Sequence, residues 1–347
     1  MAYTTINKST DYFNTKLYSG TGSSQSITGV GHQPDFVWIK CRSGTYATEE
    51  HNLFDRVRGT TKFVRSSSAS AELTDTNSLS AFNSDGFTVV SRDSINGSSS
   101  AYASWNWKAN GQGSQNTDGS INTTYTSANT TAGFSIVKWT STDTAGSTIG
   151  HGLGAVPKMI ITKKITSGNP GNWTVYHNSI GNTKSLALNT TGVEDAATSY
   201  WNNTSPTASV FSTGTYFDAG DYIAYCFAEK QGYSKFGQYI GNGSSSGDGT
   251  FVFTGMKPAF IMIKATSGSE NWQMYDNKRL GYNVDNNMLR ANLSNAEQTD
   301  NDIDILSNGF KLRRNSGAFN SSGSTYIYMA FAEAPLVGSN NVPCTAR

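Results

Sequence analysis

Charge is scarce in this chain. Only 15% of its 347 residues are Asp, Glu, Lys or Arg, against about 25% in ordinary globular domains. The 26 basic and 25 acidic residues leave a net charge of +1, so no basic excess steers the chain onto nucleic acid or an anionic membrane. Leucine is also rare, which disfavours helices as the way to bury apolar surface. The three cysteines, Cys41, Cys226 and Cys344, form no CxxC and close no even disulfide framework. We expect buried or incidental thiols. Four histidines without paired spacing, and no HExxH, exclude the usual zinc motifs. No metal or other cofactor is expected. Apolar runs such as Tyr222 to Ala228 are far shorter than the roughly 20 residues a bilayer-spanning helix needs. The N-terminal residues carry no apolar stretch of signal-peptide kind. We expect a soluble chain with no membrane insertion.

What the chain has instead is small polar residues and aromatics. Ser 45, Thr 40 and Asn 32 make up a third of it, with 35 Gly. That composition can mean disorder, but 17 Phe, 17 Tyr and 7 Trp argue for a packed core, because disordered chains are poor in aromatics. Aromatics, Val, Ile and Thr favour pleated surfaces. The composition predicts an all-β, turn-rich fold.

A self-comparison shows the same landmarks three times. A strand signal ending in Lys reads Pro34 to Lys40, Pro157 to Lys163 and Pro258 to Lys264, each proline preceded at minus three by Gly. Phe54-Asp55, Tyr176-His177 and Tyr275-Asp276 follow, each with a glycine soon after (Gly59, Gly181, Gly281). Then come Glu72, Glu194 and Glu297, and last the pairs Tyr102/Trp107, Tyr222/Phe227 and Tyr326/Phe331. The interval from proline to strand tyrosine is the same from Pro34 to Tyr102 as from Pro258 to Tyr326, and slightly shorter from Pro157 to Tyr222. We expect three tandem repeats of about 100 residues, each an antiparallel β-sandwich or jelly-roll-like unit. The boundaries are 13–109, 134–231 and 232–335, with a linker or extended loop at 110–133, an attachment segment at 1–12 and a tail at 336–347. Apolar residues on both faces of Phe36 to Ile39 imply a strand buried on two sides. A short helix is expected near Ala69 to Glu72.

No catalytic constellation emerges. His32 and His151 lie at Gly-rich turns, where solvent-facing residues are expected, and His177 aligns with Asp55 and Asp276. Gly243 to Gly247 matches a nucleophile elbow only formally, since turns flank it and no His follows residue 177. Asp300, Asp302 and Asp304 resemble the start of a calcium loop, but Ile305 and Lys311 stand where it needs Gly and Glu. The repeated Glu72, Glu194 and Glu297 suit capping or turn bonds better than catalysis, and Lys40, Lys163 and Lys264 suit strand ends in contact with solvent. The short basic clusters at Arg56/Arg58, Lys278-Arg279 and Lys311 to Arg314 form no stripe with interleaved aromatics, so nucleic acid is not expected as a partner. Trp139, Tyr200 and Trp201 are the candidate stacking faces for a sugar ring. The expectation is a protein that is not an enzyme.

Several segments are similar to a known family. GHQPDFVWIK from Gly31, GYSKFGQYIGNG from Gly232, GMKPAFIMIK from Gly255, NWQMYDNKR from Asn271, LSNGFKLR from Leu306, GSTYIYMAFAEAP from Gly323 and the ending NNVPCTAR carry the likeness. Together they resemble a repeat family of tailed bacteriophages, seen especially in phages of marine bacteria, including cyanophages. Such proteins are tail fibres or other virion structural proteins. The resemblance implies a virion surface protein, a tail fibre or receptor-binding adhesin that contacts host-surface glycans. Its other partners would be virion proteins and further copies of itself, as a homotrimer. The alternative it leaves is a head decoration, collar or capsid-fibre protein docking on the phage capsid.

Overall fold

Short runs of Val, Ile, Thr and aromatic residues, broken by Gly, Asn and Ser, give strands throughout the computed structural model, which describes residues 3–280, 283 and 286–338. Among the described residues the one α-helical turn is Asp93–Asn96. The helix expected near Ala69 to Glu72 is absent; irregular chain there runs into the short strand Leu73–Thr74.

Three large antiparallel sheets carry the fold. The first orders Phe13–Ser19, Ser100–Trp107, Phe36–Gly44 and Asn52–Asp55. The second orders Tyr125–Asn129, Phe134–Ser141, Gly220–Phe227, Met159–Lys164 and Thr174–His177. The third orders Ser234–Ile240, Thr325–Pro335, Met256–Ala265, Gln273–Asp276, Asn286–Arg290 and Gln298–Asp300. The register puts Tyr18 opposite Tyr102, Trp139 opposite Tyr222 and Tyr239 opposite Tyr326. A smaller sheet backs each large one. It consists of Gln25–Thr28, Gly86–Val89 and Leu79–Asn83 in the first stretch, Ser147–Gly150 and Val210–Thr213 in the second, and Phe251–Phe253, Gly309–Leu312 and Ile303–Leu306 in the third.

The alternation of a strand sends successive side chains to two different cores. Phe36 and Trp38, Met159 and Ile161, Phe260 and Met262 point into one central cluster shared by all three stretches. Val37 and Ile39, Ile160, and Ile261 and Ile263 point the other way, into a separate outer core within each sandwich. At the centre, Trp107, Phe227 and Phe331 form a triangle with ring centroids 6.4, 5.9 and 5.6 Å apart. Phe13, Phe134 and Phe236 each pack on two of these rings.

Hydrogen bonds close the ring in one sense. The backbone N–H of Glu72 donates to Ile165, that of Glu194 to Thr266 and that of Glu297 to Arg42. First stretch therefore binds second, second binds third and third returns to first. The Trp173 indole donates to the Arg65 carbonyl at 2.9 Å, Trp272 to Ala187 at 3.0 Å and the His51 imidazole to Arg290 at 3.0 Å. Two junctions hold buried ion pairs. Arg58 pairs with Asp55 at 2.6 Å, and the Tyr225 hydroxyl of the second stretch donates to the same carboxylate at 2.9 Å. Arg279 pairs with Asp276 at 2.6 Å, where the Trp105 indole donates at 3.0 Å. The third junction has His177 and Ile180 at those places, and the His177 Nε2–H donates to the Tyr328 carbonyl at 3.3 Å.

Two segments differ from the expectation. Residues 110–133 are not a free linker: Tyr125–Asn129 is the edge strand of the second large sheet, and Asn110 and Gly111 are held by Ser127 and Asp35. The head is not free for attachment either. Ile6 is buried in the central core, and the Tyr3 hydroxyl donates to the Gly255 carbonyl at 2.7 Å. Gly281 and most of the 336–347 tail, including Cys344, lie outside the described residues.

Candidate functional site

The three sandwiches differ in the connector that crosses from the small sheet to the last strand. It comprises residues 90–99 in the first, 214–219 in the second and 313–324 in the third. In the first, the helical turn caps Tyr102, whose hydroxyl donates to the Asp93 carbonyl. In the third, the longer loop covers Tyr326, whose hydroxyl donates to the Gly317 carbonyl at 2.8 Å. The second connector is much the shortest and leaves the equivalent ground open.

That opening is a cleft of about 620 Å³ lined by Thr162, Lys164, Asn169 to Asn172, Thr174, Thr215, Tyr216, Asp218 and Tyr222, with Ala69 from the first stretch. The floor is polar where its counterparts are not. Thr162 and Lys164 stand where the other sheets have Ile39 and Cys41, or Ile263 and Ala265. A second chamber of about 210 Å³ adjoins it, sharing Asn172, Thr174 and Tyr216 and adding Val193, Asp195 and Tyr200. The Tyr216 and Tyr200 rings lie 4.7 Å apart between the two.

The charges in the cleft are matched. Lys164 Nζ meets Asp218 Oδ2 at 2.7 Å, and the Tyr222 hydroxyl donates to Asp218 Oδ1 at 2.7 Å. Partial burial pushes the Asp218 carboxyl up, but the bonds from Lys164 and Tyr222 outweigh it and hold the group below its ordinary value. Burial, then the Asp195 carboxylate 2.6 Å away, raises the Tyr200 hydroxyl, which stays neutral and donates to it. Among the described residues the side chains of Asn169, Thr174, Thr215 and Tyr216 make no hydrogen bond, so an amide and three hydroxyls are available to a ligand.

Of the three aromatics singled out in the sequence, one reaches this site. Tyr200 lines the smaller chamber. Trp139 and Trp201 are 0% and 1% exposed. Trp139 stacks on Tyr222 inside the outer core, and the Trp201 indole packs against Tyr176 and Phe217 and donates to the Lys184 carbonyl. Neither has a face left for a sugar, because the second sandwich closes its core with them. Tyr216, Asp218 and Asn169 to Asn172 went unmarked. Their one trace in the sequence is the interval from Pro157 to Tyr222, shorter than its counterparts from Pro34 to Tyr102 and from Pro258 to Tyr326.

Other candidates take structural roles. Lys40, Lys163 and Lys264 are not in contact with solvent at strand ends; each is 0% exposed, and burial pushes each ammonium down to about 8. Carbonyl oxygens hold them. Lys163 Nζ donates to Ala69, Pro170 and Gly171, each at 2.9 Å, and so fixes the loop that walls the cleft. Lys163→Met removes the donor from three carbonyls that are only partly shielded from water, and we expect a loss of about 1–3 kcal/mol, measurable by urea denaturation. Glu72 pairs with Arg58 and Lys62, Glu194 with Lys184, and Glu297 with Arg42 and Arg279. Arg314 binds both Asp300 and Asp302, and Arg313 binds Asp304, which commits the acidic run to arginine. Among the described residues no group of His, Cys, Asp and Glu is placed to hold a metal ion. All four histidines are buried, against the expectation of solvent-facing turns for His32 and His151.

The architecture is thus an all-β protein with three large sheets around one core and a polar, aromatic-walled cleft in the second sandwich. The chain belongs to the family described as Domain of unknown function (DUF7483), which it matches over residues 8–335, a span that takes in all three sheets. No curated protein matches it in sequence.

Proposed function

We propose that this chain is a surface component of a tailed-bacteriophage virion, part of a tail fibre or receptor-binding assembly, and that it binds host-surface glycans through the cleft of its second sandwich. The observation that carries the binding half is the cleft itself, where tyrosine rings, an amide and free hydroxyls surround a space in which Lys164 pairs with Asp218 and the Tyr200 hydroxyl holds Asp195. Aromatic faces with neutral hydrogen-bonding groups are what a polyol ring requires. The virion half rests on the resemblance of the segments at Gly31, Gly232, Gly255 and Gly323 to phage structural proteins. In this reading the protein is a binder and not an enzyme: Lys164 and Asp218 neutralise each other in the larger chamber. Several copies on one particle, assembled as a homotrimer, turn modest affinity into firm attachment.

Immunogold labelling of purified particles tests the location. Label at the tail tip or side fibres is the expected result. Label spread over the head would replace this reading with the capsid-decoration one.

A further inference from the structure

The charge balance and the shape of the cleft narrow the ligand, on the reading just given that it binds a glycan. We infer that it takes two consecutive uncharged sugar rings of a host polysaccharide and discriminates against uronic, sialic and sulfated sugars. The two chambers adjoin through Asn172, Thr174 and Tyr216, so a chain of two rings fits with its linkage over Tyr216 and one ring in each. Each chamber carries one carboxylate, Asp218 in the larger and Asp195 in the smaller. The single cation in the lining, Lys164, is 7% exposed and already engaged by Asp218 at 2.7 Å. An anionic ring would therefore find no free cation in the larger chamber, and in the smaller it would meet the Asp195 carboxylate, which is held by the Tyr200 hydroxyl rather than by a cation; like charges brought together at a binding surface oppose binding. An uncharged ring loses nothing to either carboxylate and can donate a hydroxyl hydrogen to both. The free side chains of Asn169, Thr215 and Tyr216 supply the remaining donors and acceptors.

The same pairing implies a switch of specificity. Asp218→Asn removes the carboxylate that Lys164 and Tyr222 share, leaving the ammonium free toward the larger chamber. This variant is expected to gain affinity for anionic glycans by about tenfold, a step worth roughly 1.4 kcal/mol.

The test is an array of immobilised neutral and anionic oligosaccharides probed with the full chain and three variants, each checked for folding by near-UV circular dichroism. The expected result is binding to neutral glycans only, reduced at least tenfold by Tyr216→Ala and by Thr215→Trp, whose new ring takes up part of the larger chamber from an exposed turn. Asp218→Asn should add anionic hits. Wild-type binding to anionic glycans would overturn the inferred class and leave the glycan reading standing. Neutral binding that survives both Thr215→Trp and Tyr216→Ala would overturn the site. No binding to either class would overturn the glycan reading with it.

Discussion

Trp107→Ala is expected to destabilise the whole chain by about 4 kcal/mol and to lower the unfolding midpoint of all three sandwiches together. The Trp107 ring is 2% exposed and touches Phe13 and Phe36 of its own stretch, Phe134 and Phe227 of the second, and Phe260 and Phe331 of the third. Removing it opens a cavity where three sheets meet, so no single sandwich can relax to fill the space. Trp107→Phe should cost only about 1–2 kcal/mol, because the indole N–H it deletes has no hydrogen-bond partner among the described residues. Urea unfolding followed by tryptophan fluorescence and by circular dichroism is the check. Coincident transitions for wild type and both variants are expected. A transition that splits into separate steps would show that the sandwiches stand independently.

Acid should begin to destabilise the protein at about pH 6.5, before its carboxylates start to be protonated. His177 accepts a hydrogen bond from the Ser179 N–H at Nδ1 and donates from Nε2 to Tyr328. His51 accepts from the Trp38 indole at 2.8 Å and donates to Arg290, and His151 accepts from Leu153 and donates to Thr207. In each ring the nitrogen that would gain a proton faces an N–H. Burial is the main cause lowering all four imidazoles, His32 and His177 to about 4. A group whose value is depressed in the folded state binds fewer protons there than in the unfolded chain. Its stabilising contribution is complete above the unfolded value of about 6.5 and is lost as pH falls toward the folded value. His32 and His177 should each forfeit about 3 kcal/mol by pH 4, a large share of an ordinary domain's roughly 5–15 kcal/mol. Burial also raises Asp35 and Asp302, which works in the opposite direction. The urea midpoint should fall steeply from pH 6.5 to 4, and His177→Gln should flatten that slope. A midpoint unchanged over this range would contradict the assignment of these rings as buried neutral hydrogen-bond pairs.

The strands and the two-sided burial were legible because the alternation of a strand leaves a local mark. Phe36 to Ile39 reads as apolar on both faces, and both faces are covered. What covers them was not legible. That Phe36 and Trp38 meet side chains from the second and third stretches, far along the chain, is a property of packing, which no local pattern carries. The same limit hid the lysines. Lys40, Lys163 and Lys264 look like solvated strand ends in sequence; the tertiary arrangement brings the Ala69 carbonyl to Lys163 and that of Thr191 to Lys264, each from the preceding stretch, while Lys40 turns to Cys41 and Ala47 of its own. The site was half legible. Aromatics beside Asn and Asp marked Tyr200, but Trp201 next to it turns inward, and neighbouring residues in a turn give no period from which to tell them apart. The cleft depends on residues missing from one connector, and a deletion leaves only a change of spacing.

Hydrogen–deuterium exchange of the full chain, with and without polysaccharide extracted from the host surface, tests the central claim most directly. The account predicts added protection in two segments, 169–174 and 214–218, with the Phe251–Phe253 strand and the three-sheet core unchanged. Protection elsewhere with none at the cleft, or no protection at saturating polysaccharide, would contradict it.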